Sequence, residues 1–144
     1  MREILFKAKR KDNGEWIEGS LIDLDIDSGY GYIVPPYKKA SILPINFLIT
    51  DRMKLVDLET LCQFTGLCDK NGNKIWENDI LMAHLNESYP DDATFETVEW
   101  GFSGWVTHET NSIDRQYIDE FDLEHYEVVG NIFDNKELLQ EGYK

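Results

Sequence analysis

Two Asn-Gly pairs, Asn13-Gly14 and Asn71-Gly72, set the tightest limit on how this chain of 144 residues can fold. Both residues of such a pair tolerate positive φ, which a type I′ hairpin turn demands, so the pair turns a strand back on itself. Before the first pair, Ile4, Phe6 and Ala8 alternate with charged residues, the period of a half-buried strand. After it comes "EWIEGSLIDLDID", and residues 3–25 therefore read as a β-hairpin. The second pair lies in "QFTGLCDKNGNKIWENDIL" at 63–81, where "DIL" opens another apolar run. Laid over each other with a one-residue slip, 11–22 and 70–81 run Asn-Gly, an aromatic-aliphatic pair, Glu, a polar turn and a strand. Duplication and independent use of common turn chemistry both account for that echo.

The remaining segments extend the β pattern. Gly29 and Gly31 around Tyr30 mark a turn, and Ile33-Val34 before Pro35-Pro36 closes a third short strand. Residues 36–41 read as a loop. The stretch 42–63 has neither clean alternation nor a helical stripe, and a short helical turn is expected near Asp57–Leu61. "DILMAH" at 79–84 is a compact strand and "ESYPDDA" a polar loop. "TFETVEW" and "GWVTHET" form a hairpin around Gly101-Phe102-Ser103-Gly104, and "HYEVVGNIF" supplies the last strand. Asp134 and Glu137 form a D-x-x-E capping signal for a short helix over 135–141. The expected fold is mostly β with minor α. It comprises an N-terminal β-hairpin subdomain over 1–62 and a second β subdomain over 63–144 that ends in the helix. Ile75, Ile80, Met82, Val98, Trp100, Trp105, Val129 and Ile132 are its expected core.

Charge narrows the function classes. The formal net charge is −14, yet residues 1–76 carry 11 acidic and 11 basic side chains. Residues 77–144 carry 17 acidic groups against Arg115, Lys136 and Lys144, so the whole imbalance falls there. Such a surface repels phosphate, and direct nucleic-acid binding through it is not expected. Hydrophobic residues at 42% supply a real core. No run is long enough to span a bilayer: "ILPINFLI" at 42–49 is interrupted by Pro44 and Asn46. The start, "MREILFKAKRK", lacks the apolar region of a signal peptide, so a cytoplasmic protein is expected, with no membrane partner. Cys62 and Cys68, five residues apart, match neither a C-x-x-C redox pair nor a zinc knuckle and read as reduced thiols.

Catalytic and metal motifs are weak. Counted from Asp69, an EF-hand loop would need Gly at its sixth position and a carboxylate at its twelfth, where Lys74 and Ile80 stand. Asp23, Asp25 and Asp27 alternate with Leu24 and Ile26, which places the carboxylates on one solvated strand face. "GFSGW" puts Trp105 where a nucleophile elbow requires glycine. His84, His108 and His125 are widely spaced. No metal, cofactor or catalytic residue is assigned. The tract 114–127 is the most unusual segment: Asp114, Asp119, Glu120, Asp122 and Glu124 form a possible acidic interaction surface around Tyr117, Phe121 and Tyr126. It reads either as a solvated rim or as a surface with phosphate-like charge.

Three stretches carry a family resemblance: "REILFKAK" leading to "WIEGSLI", "VDLETLCQFTGLCDKNGNKIWENDIL" at 56–81, and "EVVGNIFDNKELL" at 127–139. Together they resemble the YopX-like proteins, small proteins encoded by bacteriophages and prophages. Gln63, Thr65, Gly66, Asn71, Gly72, Asp79, Gly130 and Asn131 stand at signature positions. Leu58 replaces a common proline, Asn78 the usual glycine before Asp79, and Lys9 a frequent tryptophan. The resemblance implies an SH3-like barrel in the C-terminal part, homo-oligomers in a bacterial host cell, and no established activity. The function expected is that of a non-enzymatic phage accessory protein binding an unknown protein partner, with Tyr30, Tyr32 and Trp76 on loops and edges. Alternatives are an acidic nucleic-acid mimic that inhibits a host DNA-binding or defence protein, and a metal-dependent or histidine-using enzyme.

Overall fold

The computed structural model describes residues 2–25, 27–36, 52–83, 93–110 and 112–140. The chain divides into two compact units, Met1–Phe64 and Thr65–Lys144. Strands dominate both, and among the described residues no helix is long and apolar enough to cross a membrane.

The N-terminal unit is built from β1 (Phe6–Arg10), β2 (Trp16–Asp25), β3 (Tyr30–Val34) and the first part of β4 (Lys54–Cys68). All neighbours are antiparallel, and the ladder that runs β1-β2-β3-β4 returns to β1. Val56 stands opposite Gly31 on one side and Arg10 on the other, and Asp57 opposite Tyr30 and Lys9. This closure leaves no free edge at that level and encloses Ala8, Ile33 and Val56, backed by Phe6, Ile17, Leu21, Leu58 and Leu61. The alternation of Phe6 and Ala8 is therefore that of an inward face.

The expected helical turn at Asp57–Leu61 is absent, because β4 runs through it as a strand carrying a wide bulge. Lys7 pairs with Cys62 and Lys9 with Asp57, so Leu58–Leu61 stand opposite Ala8 alone. Polar groups hold the excursion: Thr60 Oγ1 accepts from the Lys9 N–H at 2.8 Å and donates to the Asp57 carbonyl at 2.7 Å. The Asp57 carboxylate accepts from the Glu59 N–H at 3.0 Å. Leu58 donates its N–H to the Gly29 carbonyl, a bond proline could not make.

The C-terminal unit holds β5 (Lys74–Trp76), β6 (Asp79–Ala83), β7 (Thr94–Trp100), β8 (Trp105–Glu109), β9 (Arg115–Tyr117), α1 (Glu120–Leu123), β10 (Tyr126–Asn131) and α2 (Glu137–Gln140). Five of these strands form an antiparallel sheet in the order β10-β6-β7-β8-β9, while β5 pairs with β4. One face of the sheet buries Leu81, Ala83 and Val98 against Ile75 and Tyr126, with Leu67, Trp105, Ile118, Leu123 and Val128 packed around them.

Two aromatic expectations are corrected. Trp100 is not core but 59% exposed: it ends β7, in a T-shaped contact with Trp105 at 4.9 Å between ring centroids. Trp76 is no edge residue but 6% exposed, because β5 buries both Ile75 and Trp76 and so breaks strict alternation. Ile75, Ile80 and Val98 are fully buried as expected, and Met82, Trp105, Val129 and Ile132 half-buried. His84 and the side chains of Asp23 and Asp25 lie outside what the structure describes.

Candidate functional site

The signature residues lie along strands and at turns, and side chains among them hold the backbone. Gln63 lies in β4 opposite Phe6. The Thr65 hydroxyl donates to the Ile75 carbonyl at 2.7 Å and accepts from the Leu67 N–H at 3.1 Å, spanning Gly66 at φ 86°, which favours glycine. Asn71 and Gly72 turn the chain into β5, Gly72 at φ 82°. Asp69 organises this turn: its Oδ1 accepts the N–H groups of Asn71 and Asn73 at 2.9 Å each, and its Oδ2 that of Val128 in β10, also at 2.9 Å. Burial works to raise its pKa, but the Val128, Asn73 and Asn71 N–H groups outweigh it and hold the carboxyl below its ordinary value. Oxygens surrounded by N–H donors are the reverse of a calcium cage, which answers the EF-hand question raised by the sequence.

Asp79, also buried, accepts the Trp76 N–H at 2.8 Å and closes the turn between β5 and β6. Asn78 between them has φ 70°, the left-handed region, so the family's usual glycine and this chain's asparagine answer the same demand. Asn131 and Asn135 close the turn after β10: Asn131 Oδ1 accepts the Phe133 and Asp134 N–H groups, and Asn135 Oδ1 that of Asn131. A Cβ at Gly130 would collide with the Asn135 side chain. Sequence reading placed Asn71 and Gly72 in a turn and Asp79, Gly130 and Asn131 in strands, but missed the Asp69–Val128 bond, whose partners are 59 residues apart.

The acidic tract is a β9–α1–β10 connection. Asp119 caps α1 by accepting the Asp122 N–H, and the Asp122 carboxylate accepts the Asp119 N–H in return. Two of the five acidic residues thus serve the helix, while Asp114, Glu120 and Glu124 are exposed. His125 packs its ring on Phe121, centroids 5.1 Å apart. His108 bonds the Ser112 carbonyl and lies 3.4 Å from Glu99, whose other oxygen takes Arg115 at 2.9 Å. Among the described residues no three His, Cys, Asp or Glu side chains are grouped to hold a metal. Cys62 is buried and Cys68 exposed, and no disulfide joins them.

Three features of the C-terminal unit were not singled out from sequence. First, large apolar side chains surround the end of the β7–β8 hairpin. Phe102 is fully exposed, Trp100 leads into the turn, and Tyr117 on the adjacent edge strand β9 reaches its hydroxyl to within 3.0 Å of Ser103 Oγ. Second, a cleft of about 530 Å³ is lined by Thr97 and Glu99 of β7, Asn78, and Ile132, Phe133, Lys136 and Leu139 of the C-terminal turn and α2. Third, Glu96 lies half-buried, opposite Glu109 on β8 and 3.5 Å from the Tyr126 hydroxyl. Burial, with Glu109 adding, raises the Glu96 pKa, and burial raises that of Tyr126 to about 12. Thr107, buried in β8, acts against both shifts through its hydroxyl, which makes no hydrogen bond of ordinary geometry among the described residues.

A solved structure, the protein EF1440 from Enterococcus faecalis, superposes with a TM-score of 0.61 at 22% identity, over 97% of this chain and 100% of that one. It shares the fold. No curated protein matches the chain. The YopX protein family matches residues 5–140, a span that takes in the Thr65–Gly66 bulge, the Asp69 turn and the Gly130–Asn131 close alike, and the chain belongs to that family.

Proposed function

We propose that the chain is a non-enzymatic binding protein whose C-terminal unit docks a basic protein partner through the end of the β7–β8 hairpin. The observation that carries this reading is the exposure of Trp100, Phe102 and Tyr117 around one turn, beside an edge strand whose three residues are all exposed. Aromatic side chains dominate binding energies at protein interfaces, and exposed apolar side chains gathered in one patch mark interaction sites where a single exposed one does not. Charge complementarity gives the partner its sign: Thr65–Lys144 carries 18 acidic against 5 basic side chains. The strand order supports reading this unit as an SH3-like small barrel: a four-strand meander, a one-turn helix, then a fifth strand beside the first.

The test is capture from a bacterial host lysate with tagged protein, compared with Phe102→Ser and Trp100→Ser variants at two salt concentrations. The expected result is a saturable partner that the variants lose while their melting temperatures hold. A partner retained by both variants, or no saturable partner across repeated captures, overturns the reading. If the captured protein binds DNA and is released by salt, the surface acts as a nucleic-acid mimic, since exposed charge pairing weakens under screening.

A further inference from the structure

The cleft between β7 and α2 combines an apolar wall with one unneutralised charge, and from that we infer that it is a binding site for a small amphipathic monocarboxylate. Its volume of about 530 Å³ falls within the range of small-molecule sites. The apolar surface comes from Ile132, Phe133 and Leu139, and the hydrogen-bonding groups from Asn78 and Thr97. Two charged residues border it. Glu99 is already committed, with Arg115 on one carboxylate oxygen and His108 on the other. Lys136 makes no ion pair among the described residues and lies on the opposite, α2 side of the cleft. In a unit whose charge is otherwise overwhelmingly negative, the one ammonium bordering an apolar cleft selects an anion, and the Glu99–Arg115 pair withholds the competing acidic charge from a cation.

The register explains why the cleft is open. Thr97 lies opposite Ile80 and His108, and Glu99 opposite Val106, so these residues share the sheet face turned away from the Leu81–Val98 core. The chain leaves β10 through the Asn131–Asn135 turn, which carries Ile132 and Phe133 to that second face. The bond from the Ile132 N–H to the Asn78 carbonyl fixes one end of the wall. The Asn78 turn and the Asn131–Asn135 turn, joined by that bond, therefore form one side of the site.

Amide NMR titration of the full chain with decanoate, decan-1-ol and decyltrimethylammonium tests the assignment. Decanoate should shift the amides of Thr97, Glu99, Ile132 and Lys136 saturably, and bind about three- to fivefold tighter than decan-1-ol, the size of one exposed ion pair. Lys136→Met should abolish that preference, Lys136→Arg should keep it, and Leu139→Trp should block all three probes. Lys136 is exposed, so the first two variants fold even if the third does not, and spectral dispersion reports this. Equal binding of decan-1-ol, tighter binding of the cation, shifts centred elsewhere, or no shift at millimolar probe overturns the inference. Neither outcome bears on the hairpin surface, whose residues do not line the cleft.

Discussion

The two Asn-Gly turns share a local chemistry and differ in almost everything else. At the first, Arg10 and Glu15 bracket four residues; at the second, Asp69 and Asn73 bracket three. The difference is the one-residue slip seen when the two sequences are aligned. Gly14 and Gly72 both adopt positive φ, 71° and 82°, as the turn signal requires. At the first turn an aspartate, Asp12, pairs with Arg10 two residues away, and both are solvated. At the second the aspartate is 6% exposed and ties the turn to β10. Turn chemistry decides that a hairpin forms; burial and a distant donor decide what it is worth.

Removing each aspartate is the most direct way to break the comparison. Asp69→Ala leaves the Asn71, Asn73 and Val128 N–H groups without their acceptor, at a cost of about 3 kcal/mol. Asp12→Ala removes only an exposed pair, and its urea midpoint should coincide with that of the parent. Chemical denaturation of the two variants beside the parent checks both. Equal losses would mean that the long-range bond adds nothing to the turn.

How much of this was legible follows from the distance over which each signal acts. Asn-Gly, the Phe6–Ala8 alternation and the "DIL" run are local, and the hairpins they predict are present. At 58–61 the period of two fails because four residues bulge opposite one, and a bulge held by the Thr60 hydroxyl has no periodicity to read. Trp76, expected on a loop or edge, is buried beside Ile75, and two successive buried residues are a pattern that alternation does not contain. The cleft was invisible for another reason: Thr97 and Lys136 share no pattern, and only the route of the chain from β10 into α2 brings them together.

A smaller effect sets Asp69 against Glu96, a half-buried carboxylate of the same unit whose pKa is shifted the other way. Asp69 has its pKa lowered, so its contribution is present above the ordinary 3.8 and is lost as pH falls through the depressed value. Glu96 has its pKa raised, by burial first and by Glu109 across the strands as well. Its contribution is therefore present below the ordinary 4.5 and is lost as pH rises through the raised value. Glu96→Gln should abolish that second loss and leave the acid limb intact, whereas Asp69→Asn should flatten the acid limb. Melting temperature measured against pH for the two variants separates them, and a common response in both limbs would refute the assignment.

The smallest expected effect concerns a third turn, which reaches positive φ without glycine. Asn78, at φ 70°, sits between Trp76 and Asp79, and its N–H donates to the Val98 carbonyl at 2.8 Å while its carbonyl accepts from Ile132 at 3.0 Å. The backbone is thus fixed from both sides, and a side chain that disfavours the left-handed region cannot relax by moving away. Asn78→Ala should cost about 1 kcal/mol, the usual penalty for an ordinary residue held in that region. Asn78→Gly should cost nothing in the folded state, its extra freedom in the unfolded chain being the only opposing factor. If alanine were as stable as glycine in urea denaturation, the turn would have to relax, and its two flanking hydrogen bonds would not hold it as they hold the Asp69 turn.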